Sequence, residues 1–218
     1  MTTVITKKKK CAVCGHEHDY VMIASTNAFG PSDLDTRPPQ MARSTMRYWV
    51  EECPACGYAS DDISSPAGVP SSFLQSEPYR TYDGIGFQSR LAGKFYRQYM
   101  IQSELDDAEE AFWSVLHCAW ACDDYEDTDN AKRCREEAVR LADRLLLTDS
   151  EDRDDLMVMR ADLLRRSGHF DHVIHDYAQY RTDDETFNAI LRFQIRKAAE
   201  QDDGCYVTDD ALQYEEDS

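Results

Sequence analysis

Two cysteine pairs have the residue type and spacing of a metal site. Cys11 and Cys14 form the first pair and Cys53 and Cys56 the second, each with a glycine directly after it. A two-residue gap lets both thiolates of a pair reach one ion, and the glycine lets the chain turn back with a positive φ. The spacing therefore predicts one structural Zn²⁺ held by all four cysteines, with no coordination position open for catalysis.

Two other roles for these residues have less support in the sequence. A redox dithiol needs only one Cys-x-x-Cys pair, and no thioredoxin-like βαβ pattern surrounds either pair. His16 and His18 are further nitrogen donors, but with four thiolates present we expect them on the adjoining strand. The sequence has no Ser-His-Asp order, phosphate-binding glycine loop or His-Glu-x-x-His motif. We therefore predict no catalytic residues and a protein that is not an enzyme.

A long loop separates the two pairs. The 38 residues between Cys14 and Cys53 exceed the roughly 15–20 of compact ribbons. The excess, residues 27–43, contains turn signals and a charged set that is a candidate site for a partner or a small polar ligand: Asp33, Asp35, Arg37 and Arg43. Alternatively, Asp33 caps a turn and Arg37 pairs with Asp35, so that these charges hold the loop itself.

Other clusters have competing interpretations. Lys7–Lys10 can bind phosphate as a nucleic-acid tail or form a solvated terminus. Cys118, Cys122 and Cys134, with His117, can be a second metal site or small buried residues where helices touch, and the second is favoured. His169, His172 and His175 are expected mainly on an exposed helix surface, and Cys205 as a lone thiol.

The segments that carry these residues divide as follows. The sequence predicts an α+β fold with a small β zinc ribbon followed by a mainly α-helical, tetratricopeptide-like hairpin domain. The expected parts are a disordered basic arm (1–10), the ribbon with its inserted loop (11–60, strands at 17–26 and 45–51), a linker (61–72), the helical-hairpin domain (73–201) and an acidic tail (202–218).

Helices are predicted near 86–102, 106–122, 129–147, 151–167, 170–180 and 183–201, with a short one before them and another after Thr208. The clearest hairpin pattern consists of small and aromatic residues around a Gly-containing turn at residues 164–170: Ala161, Gly168, Phe170, Val173 and Tyr177.

The ribbon segment resembles a bacterial family known as Domain of Unknown Function 2225. Members share two knuckles separated by a long polar loop, matched here by Cys11, Cys14, Gly15, Cys53, Pro54, Cys56, Gly57, Tyr58 and Ala59. Ala12 stands where the family commonly has proline. The resemblance covers residues 11–60 and implies an intracellular bacterial or archaeal protein with a structural zinc. It implies no reaction.

The charge is uneven and limits the partners. The net charge is −18; residues 1–60 carry 7 basic and 6 acidic side chains, whereas residues 61–218 carry 17 and 36. An acidic surface repels nucleic acid and anionic lipid, so a protein partner is favoured over nucleic acid, and no membrane partner is expected. With no secretory signal or apolar span in the sequence, we expect a cytoplasmic protein with reduced thiols.

Overall fold

The fold is α+β, with a small amino-terminal sheet followed mainly by helices. The structure is a computed structural model that describes residues 1–148 and 153–216, with side chains described to residue 213. Across these ranges, none of the helices is both long enough and apolar enough to cross a bilayer.

The amino terminus forms a strand, so the expected disordered arm is wrong. Strand β1 (Thr3–Lys10) pairs antiparallel with β2 (Glu17–Ser25), and Lys8 lies opposite Asp19. Opposite charges across a strand pair attract, and the β-branched residues that precede the lysines favour extended backbone. The prediction missed this strand because four consecutive lysines in a ten-residue segment are typical of a disordered basic arm.

A second, smaller sheet flanks the second cysteine pair. It pairs β3 (Glu51–Glu52) with β4 (Ala59–Ser60). The strand predicted at 45–51 is wrong over most of its length, because helix α1 (Gln40–Arg43) is followed there by a 3-10 turn at Met46–Tyr48. Met46 and Val50 are both buried, and a spacing of four residues also brings them to one side of a helical turn.

Helices occupy most of the remaining chain. They are α2 (Ser71–Leu74), α3 (Glu77–Thr81), α4 (Arg90–Glu104), α5 (Ala108–Asp123), α6 (Thr128–Thr148), α7 (Asp154–Arg166), α8 (Phe170–Tyr177), α9 (Glu185–Ala199) and α10 (Thr208–Glu216). Each of the six main predicted helices has a counterpart here. Residues 151–152 of the predicted 151–167 helix lie outside the described residues, and α10 falls in the segment expected to be an acidic tail.

The chain forms two compact units that are interleaved in sequence. Unit 1 consists of Met1–Ala28 and Gln40–Ala131, and unit 2 of Phe29–Pro39 and Lys132–Ser218. This division differs from the expected one, because the first helices belong with the ribbon and most of the long loop belongs with the later helices. We call Phe29–Pro39 the inserted segment.

The ribbon of unit 1 shares a hydrophobic cluster with helices α3 and α4. Cys11, Cys53 and Tyr58 of the ribbon are buried in a single cluster with Tyr79 of α3 and Ile101 of α4. The expected linker is part of this core as well: Ile63 is fully buried, and its carbonyl accepts a hydrogen bond of 3.0 Å from the backbone of Ala12. The ribbon is therefore an integral part of unit 1 rather than a tethered module.

Unit 2 contains the helical hairpin that the sequence shows most clearly. Helices α7 and α8 meet at a turn where Gly168 has φ +88°, a conformation that costs glycine little. Ala161, Val173 and Tyr177 are fully buried, as the pattern predicts. The inserted segment joins this unit through a β-bridge between Asp33 and Val207.

Candidate metal centre

The two Cys-x-x-Cys-Gly segments fold into equivalent knuckles. In the first, the backbone N–H of Cys11 donates to the carbonyl of His16 at 2.9 Å, and that of Gly15 donates to Cys11 at 2.9 Å. In the second, Cys53 donates to Tyr58 at 2.8 Å, and the following glycine donates back to Cys53 at 2.9 Å. Both glycines have left-handed backbone, with φ of +74° and +76°, which explains why the sequence places glycine there.

The knuckles bring the four sulfurs into one cluster. All four Sγ atoms of Cys11, Cys14, Cys53 and Cys56 lie within 4.8 Å of one another. The Sγ atoms of Cys11 and Cys56 are 3.7 Å apart, and those of Cys14 and Cys53 are 3.6 Å apart. A tetrahedron with metal–sulfur bonds of about 2.3 Å has sulfur–sulfur edges of about 3.8 Å, so this cluster can hold a metal ion.

The four thiols differ in exposure and in proton affinity. Cys11 and Cys53 are buried, Cys56 is half-buried, and Cys14 is exposed. Burial raises the pKa of Cys53 and Cys56 above the ordinary thiol value. Burial also acts to raise the pKa of Cys14, but hydrogen bonds from the His16 backbone and the neighbouring thiols lower it overall. Deprotonating all four places four negative charges together, which a bound cation would offset.

Two buried tyrosines of unit 1 stabilise the backbone of the second knuckle. The hydroxyl of Tyr79 donates a hydrogen bond of 2.7 Å to the carbonyl of Gly57. Tyr58, buried in the ribbon, donates to the carbonyl of Ser65 at 3.2 Å. These contacts fix the backbone that presents Cys53 and Cys56, so the ligand geometry depends on helix α3 and the segment after β4 as well as on the knuckles.

Buried charges hold the ribbon strands. Lys9 is 6% exposed and donates to Glu51 at 2.7 Å and to Asp62 at 3.2 Å. Burial acts to lower the pKa of Lys9, but the hydrogen bonds and charges of Glu51 and Asp62 raise it overall. The other oxygen of Glu51 accepts from the Ile63 backbone at 2.9 Å. Lys9 therefore belongs to the ribbon structure, and only Lys7, Lys8 and Lys10 of the lysine run are exposed.

The ribbon histidines lie on or beside strand β2, as expected. His16 and His18 are exposed, with their rings 6.3 Å apart, and neither belongs to the cluster of sulfur donors. The ring of His18 meets that of Tyr20 edge-on at 5.3 Å. Among the described residues, the candidate metal centre therefore has four sulfur donors and no imidazole.

The charged loop residues are separated between the two units. Asp33, Asp35 and Arg37 are buried in unit 2, whereas Arg43 is half-buried at the end of α1 in unit 1. The Asp33 backbone donates to the Arg37 carbonyl at 2.9 Å, and the Arg37 backbone donates to Asp35 at 3.3 Å. This turn favours the interpretation in which the charges hold the segment itself.

Asp35 connects the inserted segment to the helices of unit 2. It is fully buried, and its carboxylate accepts from Arg166 at 2.8 Å and lies 3.9 Å from Arg135. Beside it, Leu34 donates its backbone N–H to the carbonyl of Tyr206 at 3.0 Å. The inserted segment is therefore anchored by both ionic and backbone contacts.

A second buried polar group in unit 2 was not predicted. Asp162 accepts hydrogen bonds from Arg165 at 2.8 Å and from Gln194 at 2.9 Å, and all three side chains are buried. Burial raises the pKa of Asp162, against the opposing charges of Arg165 and Arg166. The signal available in the sequence is an Asp and an Arg three residues apart on one helix. It is weak because charged residues are so common in this chain.

The remaining cysteines and histidines lie at the following positions. Cys118 and Cys122 are buried in unit 1, and Cys134 is buried in unit 2. His169 contacts Glu136 at 3.1 Å on an exposed surface of unit 2. Cys205 is exposed, and its thiol donates to Asp33 at 3.4 Å.

Comparisons of the chain with known protein families, with curated proteins and with solved structures find no match.

Proposed function

We propose that the protein is a zinc-binding, non-enzymatic adaptor whose metal is structural. The observation that carries the zinc assignment is the arrangement of four sulfurs at tetrahedral spacing on two equivalent knuckles. Tetrahedral sulfur sites select Zn²⁺ or iron. A closed site with four protein ligands leaves no position for a metal-bound water, which supports a structural role rather than a hydrolytic one.

The integration of the ribbon with unit 1 supports the same role. Cys11 and Cys53 share a core with Tyr79 and Ile101, so the ligands form part of the packing of the unit. In such an arrangement the free energy of metal binding contributes directly to folding. The metal would therefore act on the stability of unit 1 and on no reaction.

Metal analysis tests the zinc assignment. Protein purified without chelators should contain one zinc per chain by inductively coupled plasma mass spectrometry, and Cys53→Ser should lose it. Cys205→Ser is the matched control because that thiol lies outside the sulfur cluster, and it should keep its zinc. Purified protein with bound iron, or with no metal, would contradict the assignment.

The adaptor role rests on charge and on exposed apolar surface. Unit 2 carries 14 basic and 24 acidic side chains, a net charge of −10, which suits a basic protein partner. In unit 1, Val4 and Val21 are 44% and 39% exposed on paired strands. Val4 lies opposite Ile23, and Thr6 lies opposite Val21, so the two valines share a face of the sheet. Exposed apolar side chains in this arrangement support a protein contact.

A pull-down of the tagged full chain from its host tests the adaptor role. A protein should be recovered in stoichiometric amount, with and without nuclease treatment. If the partner binds the apolar strands of unit 1, its recovery should fall with Val4→Ser/Val21→Ser. If it binds the acidic surface of unit 2, its recovery should fall at high salt. Recovery of nothing above an untagged control would overturn the adaptor role and leave the zinc assignment intact.

A nucleic-acid role through the ribbon is the second candidate. It is favoured by the exposed Lys7, Lys8 and Lys10 on β1 and opposed by the acidity of both units. Phosphate contacts give an affinity that falls steeply with ionic strength. Binding of a labelled oligonucleotide at low salt that is lost in Lys7→Gln/Lys8→Gln would favour this candidate, and absence of binding at low salt would eliminate it.

A further inference from the structure

A small cleft in unit 1 collects positive charge in an otherwise acidic chain. It has a volume of about 260 Å³ and lies between strand β2, the residues around the 3-10 turn and the start of helix α4. Arg47, Arg90 and Lys94 line it, together with Tyr20 and Tyr48. Arg90 and Lys94 are one turn apart and share a face of α4. We call this feature the cationic cleft.

The cationic cleft has excess positive charge because its glutamates are already paired. Glu51 is engaged by Lys9 at 2.7 Å, and Glu52 by Arg97. Asp19, which also lines the cleft, is exposed on β2 opposite Lys8. With Glu51 and Glu52 each paired to a cation outside the cleft lining, three cleft cations face one carboxylate, Asp19, and Arg90 makes a further, longer contact of 3.8 Å with Glu52.

The three cations of the cleft are available to a ligand. The Arg90 side chain is 87% exposed, and its ion pair with Glu52 is long, at 3.8 Å. Within the part of the chain that the structure describes, no carboxylate lies within ion-pair distance of Arg47 or Lys94. The guanidinium of Arg47 lies 4.9 Å from the centre of the Tyr48 ring, a contact that orients it. A net positive, preoriented cleft favours an anionic ligand.

We propose that the cationic cleft binds the phosphate group of a small phosphomonoester. Two guanidinium groups offer forked donors for oxyanions, and an ammonium adds a point charge. The positive charge of three cations matches a doubly charged phosphate ligand better than a singly charged carboxylate ligand. Arg90 is also the first residue of α4, where the helix dipole places partial positive charge.

The size and surroundings of the cleft favour a small ligand over a polymer. A volume of about 260 Å³ lies just below the range of about 300–1,000 Å³ for ligand pockets, so it holds a phosphate and a short body. Unit 1 carries 10 basic and 18 acidic side chains, and this acidity repels a polyanion beyond the cleft. The proposed site does not depend on the adaptor role.

Calorimetric titration of the metal-loaded full chain tests the proposal. The probes are O-phosphoserine, inorganic phosphate, serine and a short single-stranded oligonucleotide, at low ionic strength. O-phosphoserine should bind and serine should not. Arg47→Gln/Lys94→Gln should weaken O-phosphoserine about tenfold or more, because two charge-assisted contacts are lost. Arg80→Gln, an exposed arginine of the same unit outside the cleft, should bind like the wild type.

Several results would overturn the proposal. They are absence of O-phosphoserine binding, an equal loss in Arg80→Gln, binding of inorganic phosphate alone, or tighter binding of the oligonucleotide through the same residues. Circular dichroism and zinc content establish that the double variant folds. If it does not, Arg90→Gln replaces it, because that side chain is 87% exposed, and its affinity should fall while its fold is kept.

Discussion

Units 1 and 2 are each organised around a different kind of polar group: a cluster of thiols in unit 1, and buried carboxylate–arginine pairs in unit 2. Unit 1 gathers four thiols, of which Cys11 and Cys53 are buried in an apolar core. Unit 2 buries Asp35 against Arg166 and Asp162 against Arg165. A metal centre can supply folding free energy outright, whereas a buried ion pair repays little more than its own desolvation. We therefore expect unit 1 to depend on an added ion and unit 2 to depend on keeping its pairs complete.

Removal of the metal should have the largest effect and should be confined to unit 1. Structural zinc contributes on the order of 10–16 kcal/mol in small zinc domains, more than the total stability of most domains. Chelation or Cys53→Ser should therefore abolish hydrogen-exchange protection in the ribbon, with protection of α7 and α9 retained. Peptide-resolved hydrogen exchange measures both, and an unchanged ribbon would show that packing alone sustains unit 1.

Asp35→Asn should be the strongest single change in unit 2. It leaves Arg166 and Arg135 buried with reduced compensation, and breaking a buried pair costs about 3–5 kcal/mol. Denaturant unfolding should show this loss with the zinc content unchanged. Asp183→Asn, at an exposed carboxylate of the same unit, is the control and should change stability by no more than about 0.5 kcal/mol.

Neighbouring lysines of β1 offer a matched test within unit 1. Lys9→Met removes the partner of the buried Glu51, whereas Lys8→Met alters an exposed position. The first should cost about 2–3 kcal/mol, because Glu51 keeps only its bond from Ile63. The second should be close to neutral. Equal effects in thermal unfolding would show that the Lys9–Glu51 pair does not stabilise the ribbon.

Gly57→Ala should have a smaller effect, through the backbone. Gly57 has φ +76°, and an added Cβ would meet nothing closer than 3.8 Å, so only the cost of left-handed backbone, about 1–2 kcal/mol, applies. Gly86 has open space around it and no left-handed φ, and Gly86→Ala should be neutral or slightly stabilising. Calorimetric melting of the zinc-loaded variants separates the two.

Protonation of Asp62 at low pH should have the smallest effect on the free energy of unfolding. Hydrogen bonds from Ser64, followed by the contact with Lys9, lower the pKa of Asp62 to about 2. The resulting stability is present above its ordinary pKa of about 4 and is lost as pH falls from there through about 2. NMR titration of the carboxyl should give that midpoint in the wild type and a higher one in Lys9→Met. Because Asp62 is 45% exposed, solvent screening keeps its contribution small.

The four-cysteine cluster was predictable from sequence because the information that specifies it is local. A two-residue gap and a following glycine determine each knuckle, and cysteine is rare enough that two such pairs stand out. Helix positions were likewise recoverable, as at α7 and α8, from periodicity and a turn glycine. The strand predicted at 45–51 failed because Met46 and Val50 satisfy alternating and helical spacing alike.

The buried Asp35–Arg166 pair of unit 2 was not predictable because the residues that form it are distant in sequence. Asp35 and Arg166 are 131 residues apart, and the chain has 42 acidic and 24 basic residues from which to choose. Nothing local distinguishes this pair from exposed ones. The assignment of the inserted segment to unit 2 depends on this pair and on the Asp33–Val207 bridge, both of which are long-range contacts.

X-ray absorption at the zinc edge tests the central claim most directly, because it reports the identity, number and distance of the ligand atoms in the intact protein. With one zinc per chain, a closed four-cysteine site should give four sulfur neighbours at about 2.3 Å and no nitrogen or oxygen. A nitrogen or oxygen neighbour would contradict the closed four-cysteine site and would reopen an exchangeable position for chemistry.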